Sequence, residues 1–310
     1  MAKYLVTGGA GFIGSNIVEE LVRRKAAVRV IDSLITGNLD NISPFRKNID
    51  FIKGDIRDRK TLKRALKGVD YVIHQAALRS VPKSVDDPFT TNDINISGTL
   101  NLLMESKRAG VKRVVYASSS AAYGDSKKFP QKETDLPKPI SPYGVSKLAA
   151  ENYCITFAKT FGLETVSLRY FNVFGPRQNP ESKYSAVVPI FISNMLSGKS
   201  PVVEWDGKQA RDFVYVGDVV KANLKACLIP GISGEVFNIA CGSAISVMDI
   251  VNCMNKILGT HLKPAFAPKR SGDVRTTYAD ISKMKKSLGI KKLVRFEEGM
   301  ELTIDWFRNI

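Results

Sequence analysis

The chain has 310 residues, 44% hydrophobic and 25% charged, with a formal net charge of +16. That length accommodates a large α/β domain with a smaller companion, and the composition is ordinary for a soluble enzyme. No apolar run reaches transmembrane length, the N-terminus enters a strand with no signal peptide, and with only His74 and His261 present a histidine-built metal site is not expected.

The four cysteines, Cys154, Cys227, Cys241 and Cys253, form no CxxC pair and read as reduced thiols of a cytoplasmic protein. The basic residues are spread along the chain, densest at Arg23-Arg24-Lys25, Lys283 to Lys286 and Lys291-Lys292, and no aromatic residues interleave them. They predict a solvated surface, with neither a nucleic-acid partner nor membrane insertion.

The chain opens on an apolar strand, Lys3 to Thr7, which runs into Gly8-Gly9-Ala10-Gly11-Phe12-Ile13-Gly14 and a helix from about Ser15 to Lys25. A tight turn needs a residue free to take positive φ, and a pyrophosphate needs backbone without a Cβ in the way. Glycine meets both needs, and the helix N-terminus adds free N–H groups and partial positive charge. A second strand, Val28 to Ile31, ends on Asp32, about 20 residues beyond the glycines, where a carboxylate can hold ribose hydroxyls. No arginine follows that acid, which favours NAD over NADP.

A polar loop from Ser33 to Asn48, holding one helical turn, leads to a third strand, Asp50 to Ile56. Asp55 at its end is placed to reach an adenine amino group, with Ile56 beside it. A helix from Asp58 to Leu66 and a strand from Tyr71 to His74 follow. The next residues, Gln75, Ala76 and Ala77, include small side chains that let a cofactor lie close, and His74 reads as structural. After a loop from Arg79 to Pro88, one long helix is expected over Phe89 to Ala109.

Arg113 to Ala117 is a strand leading into Ser118-Ser119-Ser120-Ala121-Ala122-Tyr123-Gly124. Ser141 is an N-cap for a helix from Tyr143 to about Phe161, with Gly162 as its stop. A sixth strand spans Thr165 to Phe171. Strands and helices alternate throughout this half, which predicts an α/β fold: a doubly wound parallel Rossmann sheet. Beyond Asn172 the rhythm changes to helices at Val188–Leu196, Val216–Cys227, Ser246–Leu258 and Ser282–Leu288, with short strands between them. This part predicts a smaller mixed α/β substrate lobe. The expected division is 1–171 for the cofactor domain, with segments from about 212–241 returning to it, and 172–310 for the lobe.

Tyr143 and Lys147 stand four apart, which puts both side chains on one helix face. An ammonium beside a phenol lowers the phenol pKa and makes a base available near neutral pH. Here the resemblance becomes specific. The chain resembles the extended short-chain dehydrogenases/reductases, and among them the UDP-hexose 4-epimerases. The matching stretches are TGGAGFIG (Thr7 to Gly14), HQAA (His74 to Ala77), SSSAAYG (Ser118 to Gly124), YGVSK (Tyr143 to Lys147), RYFNVFGPRQ (Arg169 to Gln178), RDFVYVGDVV (Arg211 to Val220), FNIACG (Phe237 to Gly242) and RSGDVRTTYAD (Arg270 to Asp280).

The resemblance implies NAD as cofactor, contacted by Gly8, Gly11, Phe12, Ile13, Gly14, Asp32, Asp55, Ile56, Gln75, Ala76, Ala77, Ser118, Tyr143, Lys147 and Tyr170. It implies a UDP-sugar as substrate. Tyr143 is then the acid/base at the sugar 4-hydroxyl, Lys147 its partner and a ribose ligand, and Ser119 the bridging hydroxyl, with Ser118 and Ser120 one position away. Ser120, Asn172, Val187, Arg211, Arg270 and Asp273 are implied substrate contacts, the two arginines at the diphosphate. The implied reaction passes through a 4-keto sugar that turns about its phosphate linkage, with NAD retained throughout.

In the family, the residue four beyond the acid of RxGD lines the sugar pocket. Here it is Thr277, small enough to admit a 2-N-acetyl group, which points to interconversion of UDP-GlcNAc and UDP-GalNAc and extends to UDP-Glc and UDP-Gal. The turn Glu204-Trp205-Asp206-Gly207 departs from the family's glycine-containing form. UDP-glucuronate 4-epimerase, a nucleotide-sugar 4,6-dehydratase or decarboxylase, and a non-catalytic NAD-binding sensor or scaffold are the alternatives. Ala121-Ala122 lack the carboxylates that elimination requires. Relatives commonly form homodimers through a four-helix bundle.

Overall fold

In the computed structural model the described residues are 2–180, 187–269 and 275–309. Six strands come first: β1 (Lys3–Thr7), β2 (Ala27–Asp32), β3 (Ile49–Lys53), β4 (Tyr71–His74), β5 (Arg113–Ser119) and β6 (Glu164–Tyr170). With Glu235–Ile239 they make a seven-stranded sheet in the spatial order Glu235–Ile239, β6, β5, β4, β1, β2, β3. Every pairing in it is parallel. Parallel strands need crossovers that cover both faces, so their side chains are apolar on both sides. Leu5 and Val6, adjacent on β1, accordingly sit in two separate buried clusters on opposite faces. This is the expected doubly wound Rossmann sheet.

β1 lies between β2 and β4, so the crossovers leave it in opposite directions. That reversal opens a crevice outside the strand ends. Thr7, Asp32, His74, Ser119 and Tyr170 are the last residues of their strands and all stand at this edge.

The helix α1 spans Phe12–Arg23, starting three residues before the expected Ser15 because Gly11, in extended conformation, acts as its N-cap. Asp58 caps α2 (Arg59–Leu66) by accepting from the backbone N–H groups of Lys60 and Thr61. The segment expected as a loop after Arg79 instead holds α3 (Val81–Asp86), capped by the Ser80 hydroxyl, which accepts from the Lys83 N–H. A serine one residue before Val81-Pro82 is a start signal. The single long helix expected over Phe89 to Ala109 is interrupted. It runs as α4 (Pro88–Asn92), a π turn at Asp93–Ser97, and α5 (Gly98–Arg108). The widened turn carries Asn95, whose side chain bonds the Leu78 N–H (2.8 Å) and carbonyl (3.0 Å). The helix α6 (Pro142–Thr156) is capped by Ser141 and continues through a π turn to Gly162 at φ +65°.

The smaller lobe has its own apolar cluster, built on Phe174, Phe191, Met195, Phe213, Ile250 and Met300. It packs helices Val187–Leu196 and Val247–Leu258 against Phe296–Arg308. The last of these is absent from the expected elements, although Phe296, Met300, Ile304 and Phe307 recur at helical spacing. The lobe's strands are two or three residues long, so its helices supply most of the buried surface. Between the two excursions into the lobe, helix Val216–Leu228 packs on α1 and strand Glu235–Ile239 joins the sheet beside β6.

One buried carboxylate ties the two parts together. Asp212 accepts from the backbone N–H groups of Cys241 (2.7 Å), Gly242 (2.9 Å) and Ala279 (3.2 Å). Burial raises its pKa to about 6, against the pull of those N–H donors. Its carbonyl accepts from both the backbone and side-chain N–H of Asn172.

Candidate active site

A cavity of about 780 Å³ runs from the glycine turn, along the strand ends, into the cleft beneath the smaller lobe. At one end Gly8 takes φ +66°, and its N–H reaches the Ile31 carbonyl at 2.8 Å. A Cβ there would stand 2.7 Å from the Ala76 nitrogen. At Gly14 a Cβ would collide with the Gly8 carbonyl oxygen and lie 2.8 Å from Gly9 Cα. No side chain caps the start of α1, so its first N–H groups and positive end are free for an anion.

Asp32 is buried on the cavity wall. It accepts from the N–H groups of Ala10 (2.9 Å) and Leu34 (2.8 Å), while burial pushes its pKa up. Gly37 faces it, and a Cβ there would come 2.7 Å from its carboxylate. A backbone-held acid with open space above it suits a ribose diol. Asp55 and Ile56 also line the cavity, but the Asp55 carboxylate is shared with the Arg57 guanidinium at 2.7 Å, which holds it below the usual range. The glycine cradle and this acid fit an NAD molecule.

His74 is buried between the hydroxyls of Thr7 (2.7 Å) and Thr99 (2.9 Å). Burial, then the charge of Lys147, push its pKa down to about 3, so it is a neutral strut. Gln75, Ala76 and Ala77 line the cavity. The Gln75 amide donates to the Tyr170 hydroxyl at 3.0 Å and so fixes the ring that lies there.

Side chains alternate along β5, which separates the serines. Ser118 donates to Glu151 at 2.6 Å, and this commits its hydroxyl to the buried Glu151–Arg169 pair. Ser119 accepts from the Ala121 N–H at 3.1 Å and faces the Tyr143 phenol. Ser120, expected as a substrate contact, opens the following turn and is not on the cavity wall. Tyr143 sits in the first turn of α6, with its N–H donated to the Ser84 hydroxyl at 3.0 Å. Burial raises its pKa, and the Ser119 hydroxyl and then the Arg79 charge pull it back.

Lys147 lies one turn further on. Burial brings its pKa down to about 7, opposed by Cys154 and Glu151. Its Nζ rests 4.6 Å from the centre of the Tyr116 ring. Arg79 lines the same cavity and its charge acts on the phenol. Arg79 escaped the sequence reading, which took its segment as a plain loop. The available signal was a cation just after Gln75-Ala76-Ala77-Leu78.

At the lobe end, Asn172, Val187 and Arg211 line the cavity with Phe191, Gln209 and Phe213. The Gln209 amide donates to the Glu204 carbonyl at 2.7 Å, and its buried Oε1 has no partner among the described residues. Gln209 itself lines the cavity, a placement the sequence reading passed over. Thr277 pairs in register with Arg211 on an adjacent strand and does not itself line the cavity. Arg270 and Asp273 lie outside the described residues. In the departing turn, Trp205 takes φ +59° and lies under Lys269 and Arg275, with Arg275 also paired to Asp206 at 2.8 Å.

The NAD dependent epimerase/dehydratase family matches residues 4–240. A UDP-N-acetylglucosamine 4-epimerase from Methanobrevibacter ruminantium M1, solved with UDP-N-acetylmuramic acid, superposes with a TM-score of 0.94 at 39% identity, covering 99% of this chain and 98% of that one. A UDP-glucose 4-epimerase from Thermotoga maritima, solved with UDP-glucose, gives 0.93 at 41% identity, with 99% of both chains covered. A UDP-glucose 4-epimerase of Mycolicibacterium smegmatis is 35% identical over 312 residues, 99% of each chain. Fold, cofactor cradle and sequence agree throughout: the chain belongs to the NAD-dependent epimerase/dehydratase family, and NAD is its cofactor.

Proposed function

We propose that this NAD-using epimerase inverts C4 of UDP-N-acetylhexosamines, interconverting UDP-GlcNAc and UDP-GalNAc, with UDP-Glc and UDP-Gal as a second pair. The observation that carries the reading is the meeting of Ser119 and Tyr143 on the wall of one cavity with the glycine turn and Asp32. The Methanobrevibacter relative supports the acetylated sugars.

NAD is held in this reading by the turn from Gly8 to Gly14, by Asp32 at its ribose, and by Ile56, Ala76, Ala77 and Lys147 along its length. When bound it supplies the hydride exchange at C4. The protein's own groups do the rest. Tyr143 takes the proton from the 4-hydroxyl and later returns one to the same oxygen. Ser119 holds that oxygen in reach. Arg211 and Asn172 anchor the diphosphate end, so the sugar can turn while the nucleotide stays fixed.

The test is incubation of the purified protein, without added cofactor, with UDP-GlcNAc, UDP-Glc and UDP-GlcA, following products by NMR. C4 epimers of the first two are expected. Inversion of UDP-GlcA alone moves the assignment to the uronate, and a 6-deoxy-4-keto product moves it to a dehydratase. A tyrosine at position 277, one strand over from the lining Arg211, reaches toward the cavity, so Thr277→Tyr should reduce turnover of the acetylated sugar about tenfold more than that of UDP-Glc; equal losses show that position 277 does not set the choice of sugar.

The same reading includes a homodimer. The adjoining helices α3, α4 and α6 leave Val85, Phe89, Val145 and Tyr153 exposed, with Phe89 at 86%. Exposed apolar side chains on three adjoining helices suit a partner copy. Sedimentation should give a dimer that Phe89→Glu splits; a wild-type monomer at micromolar concentration would exclude it.

A further inference from the structure

We infer that Asp212 is a positioning residue for the nucleotide-sugar: its carboxylate and carbonyl tie Arg211 and Asn172 to each other and to the edge of the parallel sheet, so the diphosphate end of the site is set before a ligand arrives. The inference rests on the reading of Arg211 and Asn172 as the diphosphate anchors.

The first support is the course of the chain. Side chains alternate along an extended segment. Arg211 and Phe213 accordingly stand on the cavity wall, while Asp212 between them turns away from it and is fully buried. The Asp212 carbonyl accepts from the Asn172 backbone N–H at 3.0 Å and from the Asn172 amide at 3.2 Å. Asn172 also lines the cavity. Two wall residues distant in the chain are therefore set by one residue.

The second support is what the carboxylate gathers. It accepts from the N–H groups of Cys241 (2.7 Å) and Gly242 (2.9 Å), just beyond the edge strand Glu235–Ile239. It accepts also from Ala279 (3.2 Å), just beyond Thr276–Thr277, and Thr277 in turn pairs with Arg211. Both donor segments are themselves fixed. The edge strand pairs with β6 along its length. Next to Ala279, the Asp280 carbonyl accepts from Asn238 of that edge strand at 3.2 Å, and the Asp280 N–H donates to the Gln131 carbonyl at 2.8 Å. Asp212 stands where these ties meet.

The third support is the kind of group used. Among the described residues Asp212 forms no ion pair, and its printed partners are backbone N–H groups. A carboxylate without a counter-ion is costly to bury. A neutral side chain of its size fills the same volume at lower cost, but it does not accept three N–H groups at once, as two carboxylate oxygens do. The result is a fixed geometry between the sheet edge and the residues that face the ligand.

The direction follows. In Asp212→Asn one carboxylate oxygen becomes an NH2 that meets an N–H donor, so at least one of the three bonds is lost and the seam loosens. Arg211 and Asn172 then lose register with each other, and a diphosphate that needs both is bound more weakly. The experiment titrates wild type and Asp212→Asn, both NAD-loaded, with UDP and with UMP by calorimetry, and measures kcat and KM for UDP-GlcNAc and UDP-Glc. UDP affinity should fall about tenfold and UMP affinity less than about threefold. KM should rise for both sugars alike, with kcat within about threefold of wild type. Unchanged UDP affinity overturns the inference. So does an equal loss of UDP binding, UMP binding and NAD retention with a fallen Tm, which would make Asp212 a structural residue only.

A second measurement needs no variant: hydrogen exchange of the wild type, with and without UDP, read on peptides covering 240–243 and 278–280. Protection present already without UDP is expected. Protection that arises only with UDP means that the seam closes on the ligand, and overturns the inference. Failure of the underlying reading shows separately, as wild-type UDP affinity in both Arg211→Ala and Asn172→Ala.

Discussion

Tyr143→Phe is expected to lower epimerase turnover by about 10³-fold while leaving NAD bound and the fold unchanged. Acid/base catalysis by a positioned side chain is worth roughly 10² to 10⁴ in rate, and here no neighbour can replace the phenol. His74 is locked between two threonines and neutral, and Ser119 has no base of its own. Lys147 rests on the Tyr116 ring.

Loss of one buried hydroxyl costs little packing, because the Tyr143 backbone stays anchored through its N–H on Ser84 and the ring keeps its place. NAD content per chain, Tm and kcat separate the effects. A variant that keeps NAD and Tm but turns over within tenfold of wild type removes Tyr143 from the chemistry. Parallel loss of all three would make it a structural residue.

The parts of the fold that repeat were legible in the sequence. Alternating apolar strands and capped helices up to Tyr170 gave the sheet, and Asp58, Ser141 and Gly162 marked helix ends through their own chemistry. The parts that read poorly owe their form to tertiary contacts. The π turn at Asp93–Ser97 coincides with Asn95 reaching into the segment after β4, a contact no local pattern announces. The strands Ala210–Arg211 and Thr276–Thr277 are too short to carry a period.

The site follows the same division. Motifs read from residue identity and spacing, such as the glycine turn, Asp32 and the Tyr143–Lys147 pair, lie on the cavity wall. Arg79 and Gln209 escaped because their significance is relational. One lacks a counter-ion among the described residues, and the other holds a buried acceptor without a donor. Neither property exists until the chain is folded. Lys147 shows the same limit: spacing put it on the right face, and burial, which spacing does not reveal, lowers its pKa to about 7.

Gly14→Ala is the second large effect, and it tests the cofactor grip apart from the chemistry. The added Cβ meets only backbone: the Gly8 carbonyl oxygen, Gly8 carbonyl carbon at 2.9 Å and Gly9 Cα at 2.8 Å. No flexible side chain can move aside. Either α1 shifts away from the sheet, or the turn at Gly8 opens and its N–H leaves the Ile31 carbonyl. Overpacking of this kind costs about 1–3 kcal/mol, or about 5 °C in Tm.

The larger consequence is for NAD. Opening the turn misdirects the first N–H groups of α1, which an anion needs convergent, so the purified variant should carry less than about a tenth of the wild-type NAD. Gly68→Ala is the control. Gly68 has φ +69° but nothing within 4 Å of its Cβ position, so it meets backbone strain without collision. It should lose about 1 kcal/mol of stability and keep its cofactor.

An epimerase that hands a hydride out and takes it back gains nothing from exchanging NAD between the two transfers. Its turn should therefore act as a clamp, and cofactor retention should be more sensitive to Gly14 than stability is. Gly14→Ala protein that purifies with a full complement of NAD would show that the grip lies elsewhere along the cavity, with Asp32 the next residue to test.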